Sequence, residues 1–512
     1  MKQAEWERFL GTLALLSNPV NCYFPVHSRT IAQVVSALLL MGPWTTITSA
    51  EVAFGIHVPA PGPSAYADDV LQEAIDKIAE SGGGVVTLGA GDFKLSRHTD
   101  DETLIIKSNV TLRGQGHATH LYLDPKTPPS PIRYFPVRIG SASEPANNVV
   151  IENLRYTGND KAIGGGSIMG FNARLDEPES LLLSCDNVTI RNCWIYDAKQ
   201  AAGCTKPAAT MYLAKHVIPA NEAEAAAEEG AGADVYTTPK RLACQFKNWQ
   251  VHHNFIDTCG NKAIELAECN GGLIADNYMI HVQDGPQVIF GSRNVRICDN
   301  QVFFTGTGIN ITEGSHHITI SGNIVEPAPG MPRNKWGACL TFRTEPLPLV
   351  TTISHVTVTG NTFRNQTTDA KLTLRFETRP ESRGCSFEAI TMSGNVFDGD
   401  LQFYDRRTPS MTTMKDIVFS DNVCEGRLHN ARADVMTSKT IIIRDNLFRL
   451  PDSQTLAASH WDWSANTHSA GSLHIEAGAQ HNLVRDNVTP TPILDEGVET
   501  VLSGNHVAPH DR

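Results

Sequence analysis

The phrase "SHHITISGNIV" (315–325) returns along the chain with small changes, as "HVTVTGNTF", "AITMSGNVF", "DIVFSDNVC" and "IIIRDNLFR". Aligned on its asparagine, it falls at Asn153, Asn192, Asn254, Asn277, Asn300, Asn323, Asn361, Asn395, Asn422, Asn446, Asn487 and Asn505. The steps Asn254 to Asn277 to Asn300 to Asn323 are each 23 residues. A fixed period in this range is the mark of a repeat architecture, in which each unit buries its apolar face only against the next. Within a unit the apolar residues alternate with period two ("VTVTG", "ITMSG", "LTLRF"), and they are β-branched or aromatic. That pattern excludes helical solenoids. The missing Leu-x-x-Leu-x-Leu frame excludes leucine-rich repeats. Three short strands and three bends fit in one such unit. The expected fold is therefore all-β: a single-stranded parallel β-helix of roughly 23-residue coils.

The repeated asparagine then has an architectural role. At a tight bend its amide donates to one neighbouring coil and accepts from the other, pairing groups that would otherwise be buried and unmet. Ahead of the repeats, "ADDVLQEAIDKIAESGGG" (67–84) reads as an amphipathic helix. Asp68 or Asp69 is expected to cap it, Gly82 to end it, and Val70, Leu71, Ala74, Ile75 and Ile78 to form its apolar stripe. Such a helix covers the open end of the core, which otherwise presents an unprotected strand edge.

Residues 1–50 are set apart. An apolar run, "IAQVVSALLLMGP" (31–43), follows Arg29 and precedes "TITSA", with small residues at Thr48 and Ala50. It reads as a signal segment removed after Ala50, with the domain running from 51 to 512 and no membrane association once the segment is gone. The expected location is secreted, periplasmic or cell-surface. Eleven cysteines are present without a Cys-x-x-Cys, against a zinc ribbon or redox dithiol. Cys204 and Cys244 bracket a low-complexity insertion (200–247) and are placed to staple it. Cys259, Cys298, Cys339 and Cys424 read equally as buried free thiols. A second irregular stretch, 447–480, reads as a long loop region. The formal net charge of −13 argues against a nucleic-acid partner.

The segment "VLQEAIDKIAESGGGVVTLGAGDFKLS" with "LIIKSNVTLRGQG" resembles the opening of the pectin-lyase-like right-handed β-helix superfamily, of pectate-lyase and phage-tailspike type. The "TVTGNTF" coils resemble its generic repeat. The resemblance spans about residues 64 to 508 and implies a polysaccharide or oligosaccharide partner, bound along one face by lyases, hydrolases or epimerases. The Asn-Thr-Asp and Gly-His-Gly motifs of polygalacturonases, the Asp-Pro-His-Glu of alginate epimerases and the Trp-x-Asp-His of extracellular pectate lyases are absent. "DTCGNKAIELAE" loosely resembles inulin fructotransferases around their catalytic Glu, which would fall on Glu265; that family's partner Asp would fall on His253.

The third strand of each coil reads "AIELAE", "QVIFGS", "GINITEG", "ACLTFRTE", "KLTLRFE" and "DLQFYD". With aliphatic and Phe positions facing in, the outward rows are Glu265, Ile289, Asn310, Thr341, Thr373, Gln402 and Ala267, Gly291, Thr312, Arg343, Arg375, Tyr404. Glu345 and Glu377 follow. Arg343 beside Arg375, and Glu345 beside Glu377, would put like charges one coil apart. Carboxylates ~5 Å apart suit a retaining glycosidase, and their repulsion raises one pKa. An arginine beside them suits uronate binding or proton abstraction. The catalytic candidates are Arg343, Arg375, Glu345, Glu377 and Glu265. The substrate-binding candidates are Asn310, Thr312, Tyr404, Asp405, Lys262, Asp284, Trp461 and Trp463, the tryptophans as a sugar-stacking pair. Glu313 joins the strand-end group that rims this face. A cross-strand salt-bridge ladder on a core scaffold would use the same residues. "VHHN" and "SHHI" sit at different offsets from their asparagines, so no metal site is expected, and no cofactor. Nothing in the sequence indicates calcium. The reading is an exported polysaccharide lyase or glycoside hydrolase; the alternative is a non-catalytic carbohydrate-binding or surface β-helix.

Overall fold

The computed structural model describes residues 54–62, 64–96, 102–126, 135–140, 144–158, 184–198, 201–204, 245–330, 337–343, 350–366, 371–378, 384–403, 412–430, 437–450 and 453–508. Residues 1–50, expected to be a signal segment, most of the 200–247 insertion, Glu345, Tyr404 and Asp405 lie outside them. Every strand pairing among these residues is parallel, and each strand pairs with its counterpart one coil away. The strands form three faces. The first precedes the bend asparagine (Arg293–Cys298, His316–Ser321), the second follows it (Gln301–Thr307, Ile324–Pro327), and the third closes the coil (Ile309–Thr312, Ala338–Arg343, Leu372–Glu377). This is a parallel β-helix, as the repeat requires.

Side chains of like type stack in columns inside the coil. On the third face Ile309, Leu340, Leu374, Leu401 and Leu428 are register partners and all buried. Phe342 and Phe376 stack at 4.9 Å on the neighbouring inward column. Offset aromatic stacking adds to area burial, so the column both excludes water and sets register.

Eleven asparagines from Asn254 to Asn505 form one continuous ladder. Asn300 is typical: its Nδ2 donates to Ile274 O, Cys298 O and Asn323 Oδ1 at 2.9, 2.9 and 3.0 Å, while its Oδ1 accepts from Asn277. The residue before each ladder asparagine has positive φ (Asp276, Asp299, Gly322, Gly360, Asp421, Asp445). The left-handed region favours Gly, Asn and Asp, hence the recurring "GN" and "DN". Two sequence assignments change. Asn153 and Asn192 have φ of 55° and 53° and sit one place early, and Cys193 holds the ladder position, its amide donating to Asn254 Oδ1. Asn466 is a rung that the phrase alignment missed. It lies 20 residues after Asn446 and 21 before Asn487, so the stretch expected to be a long loop at 447–480 contains a further coil. A second, exposed ladder joins Asn109, Asn148, Asn187 and Asn248, all at positive φ.

Helix α1 (Asp68–Glu80) packs Leu71, Ala74, Ile75 and Ile78 onto the first coils. Val70 is exposed rather than part of the stripe. Neither aspartate caps it. Ala67 is the N-cap, with no side-chain cap bond, and the Asp68 carboxylate instead accepts from Ser96 N at 3.0 Å and from Ser96 Oγ. Gly82, at φ 93°, follows the last turn and donates to Ala79 O. Among the described residues no helix is long and apolar enough to cross a membrane. Cys204, Cys298, Cys339 and Cys424 are buried free thiols, Cys259 is buried, and Cys244 lies outside the described residues.

Candidate active face

The third face carries one outward row through seven register partners: Gly203, Glu265, Gln287, Asn310, Thr341, Arg375 and Gln402, with His429 beyond. The expected row placed Ile289 and Thr373 here; Gln287 and Arg375 take those positions. Arg375 thus faces Thr341, not Arg343, and Arg343 faces Glu377. The side chains point outward as expected, but the register differs by two residues. A shift of two preserves inward and outward alternation, so periodicity does not detect it.

This register changes the chemistry. The coil neighbour of Glu377 is an arginine, not a carboxylate, and Glu345, its expected partner, lies outside the described residues. Arg375 Nη2 meets Glu377 Oε2 at 2.6 Å, both side chains at most 10% exposed. Lys262 Nζ meets Glu265 Oε2 at 2.6 Å in the same strand. Lys262 is the register partner of Asp284, whose Oδ1 accepts from Thr307 N at 2.9 Å. Glu265 and Arg375 stand four coils apart, ~19 Å at ~4.8 Å per coil, so the catalytic candidates form two groups.

Between these groups the face is polar and closed to solvent. Gln287, Asn310, Thr312 and Thr341 are each 0% exposed. Both amide atoms of Gln287 and of Asn310, and the hydroxyls of Thr312 and Thr341, have no hydrogen-bond partner among the described residues. Such groups cost about 1–3 kcal/mol each when left unmet. The row opens at its far end, where Gln402 and His429 are half-buried and Arg427 is exposed. There His429 Nε2 meets Asp400 Oδ2 at 3.2 Å, and Asp400 Oδ1 accepts from Arg427 N at 2.9 Å. Burial alone would raise the Asp400 carboxyl. The His429 and Arg427 hydrogen bonds outweigh it and hold the group below the usual carboxylate range. Sequence reading missed this Asp–His pair because the two residues become neighbours only through register.

Trp461 and Trp463 are not a sugar platform. Both are inward first-face residues, 1% and 0% exposed, packed on Phe403 at 5.9 Å and Phe448 at 5.2 Å. Because Asn466 is a rung, "WDWS" is the strand that precedes it. Glu313 is buried at the bend after Thr312, with φ of 24°. Among the described residues no group of three or more His, Cys, Asp or Glu is placed to hold a metal ion.

No protein-family model matches the sequence, and no curated protein resembles it. Solved structures do. The A-module of the Azotobacter vinelandii mannuronan C-5 epimerase AlgE6 aligns over 85% of this chain and 96% of its own, at 14% identity and TM-score 0.49. A variant of the tailspike protein of E. coli bacteriophage HK620 aligns over 88% of this chain and 75% of its own, at 11% identity and TM-score 0.50. The same tailspike in complex with a pentasaccharide aligns at 14% identity and TM-score 0.44, over 86% and 78%. At such identities the likeness concerns the fold alone, and it agrees with the strand pairing: this chain is a right-handed parallel β-helix.

Proposed function

We propose that this protein is an exported polysaccharide-active enzyme that holds a glycan lengthways along the third face. The observation that carries the reading is the row Gln287, Asn310 and Thr341, one side chain per coil, with amide and hydroxyl atoms left unpaired among the described residues. Sugar hydroxyls are donors and acceptors of the matching kind, and the ~4.8 Å coil spacing is close to one sugar unit. Gln402 and His429 are the accessible end of that row, and a glycan seated there meets the row from its open end.

Within that reading, proton abstraction next to a uronate carboxylate is favoured over retaining hydrolysis. The hydrolysis needs two carboxyls ~5–5.5 Å apart across the bond, and Glu377 faces an arginine instead. His429, oriented by Asp400, is the base. Arg375, two coils away in the same row, is the cation for the carboxylate. One observation favours a second reading, a glycan-binding protein without catalysis: Arg375 of the row is already paired with Glu377, whose coil neighbour is Arg343, as in a salt-bridge ladder.

The test is a screen of acidic and neutral polysaccharides, reading unsaturated product by ultraviolet absorbance and reducing ends by colour. Absorbance without hydrolysis supports the lyase. Reducing ends alone support a hydrolase. Binding without product supports the second reading, and no binding to any glycan overturns both. Asn310→Leu, similar in volume and without the amide, is expected to weaken glycan binding at least 10-fold.

A further inference from the structure

On the second face, at the opposite end of the molecule's sequence, three side chains from three successive coils line up. His120 Nδ1 lies 2.9 Å from Asp92 Oδ1, and His120 Nε2 lies 2.9 Å from Thr157 Oγ1. Asp92 and His120 are direct register partners, and Thr157 is the partner of Tyr122, two residues along. With Asp92 accepting the Nδ1 hydrogen, the Nε2 lone pair faces the threonine hydroxyl. This is a nucleophile held by a base that is itself oriented by a carboxylate. Arg155, the next register partner of His120, holds Nη2 3.9 Å from Asp92 Oδ1, and its buried Nε–H has no partner among the described residues and is a donor for an oxyanion. Burial, only partly offset by the Asp92 hydrogen bond, keeps the His120 pKa below its ordinary value, so the imidazole is a neutral base at neutral pH.

Beside this relay the face turns aromatic. Trp194 follows Arg155 in the register and Tyr196 follows Thr157, both half-buried and outward. Outward aromatic rings on a polar face fit the apolar faces of sugar rings. The relay and the rings are adjacent, so a sugar stacked on Trp194 and Tyr196 carries its substituents over Thr157.

We propose that Thr157, His120 and Asp92 form an acyl-transfer site on the second face, which hydrolyses an ester carried by a glycan seated on Trp194 and Tyr196. The Thr157 hydroxyl gives its proton to His120 Nε2 as Oγ1 bonds to the acyl carbon. The bond from that carbon to the sugar oxygen breaks, and the sugar leaves with the Nε2 proton. Water then adds to the acyl-threonine with His120 taking its proton. Oγ1 leaves protonated and a carboxylic acid is released. The site is separate from the third face and stands whether or not that face cuts a glycan.

The experiment uses the full chain with 4-nitrophenyl acetate and with O-acetylated xylo-oligosaccharides, reading nitrophenolate and acetate, and a fluorophosphonate probe mapped by mass spectrometry. The expected result is ester hydrolysis and labelling at Thr157, both reduced at least 100-fold in Thr157→Ala and His120→Ala. Thr157→Ser is expected to keep the activity, which separates loss of the nucleophile from loss of fold. Trp194→Ala is expected to raise KM for the acetylated oligosaccharide at least 5-fold. Wild-type protein inert to both esters, or Thr157→Ala as active as wild type, overturns the proposal.

Discussion

Arg375 reaches along its own strand to Glu377, Nη2 to Oε2 at 2.6 Å, while the coil neighbour of Glu377 is Arg343. One buried carboxylate thus pairs with Arg375 and has Arg343 as its register partner on the neighbouring coil. Removing one partner of a buried ion pair leaves the other charge stranded, at about 3–5 kcal/mol, and Arg343 offsets part of that here. Arg375→Ala is therefore expected to remove activity on glycan and also to lower the melting temperature. The pair Arg375→Met with Glu377→Leu is expected to recover the melting temperature without recovering activity. Calorimetry beside the polysaccharide assay checks both, and full activity in either variant removes the assignment.

The two asparagine ladders are expected to differ in worth. Asn300→Ala strands Ile274 O, Cys298 O and the donors of Asn277 inside the bend. At about 1–3 kcal/mol per unmet buried group, a loss of several kcal/mol is expected. Asn248→Ala, on the exposed ladder, leaves its partners to water, and a loss under about 1 kcal/mol is expected. Chemical denaturation of the two variants measures the contrast; equal losses would mean the buried ladder is not what holds the bends.

Stability is expected to fall on mild acidification. His468 is buried against Phe448 and Trp463, and burial lowers its pKa from 6.5 to about 4. The unfolded chain binds the proton first as pH falls below 6.5, so stability is full above that value and is lost down to about pH 4. The difference corresponds to about 3 kcal/mol. His316, lowered to about 4 by burial and by the neighbouring His317, acts in the same direction with less weight because it is more exposed. Urea unfolding at several pH values should show His468→Phe with a shallower pH dependence than wild type. An unchanged slope would show that this imidazole is not the titrating group.

Trp463→Ala is expected to cost about 3–5 kcal/mol through the cavity it leaves, with glycan affinity unchanged, because the ring faces the interior. A loss of affinity at constant stability would return the tryptophans to a binding role. Thermal melting and equilibrium binding of the same variant decide between the two.

The repeat by itself determines the architecture: period-two strands and bend asparagines 23 residues apart have few other ways to bury their apolar face. Asn254 through Asn323, the inward columns and the capping helix were legible for that reason, since local pattern and global fold agree. Register was not legible. Leu340 could stand beside Leu372 or Leu374 with every side chain still on its proper face, and only the packing of Phe342 on Phe376 chooses between them. Asn466 was hidden in the same way, by a coil that carries tryptophans where others carry valine and isoleucine. Sites depend on register, because it decides which distant residues become neighbours. Asp400 with His429, and Asp92 with His120 and Thr157, are therefore properties of the folded stack rather than of any motif along the chain.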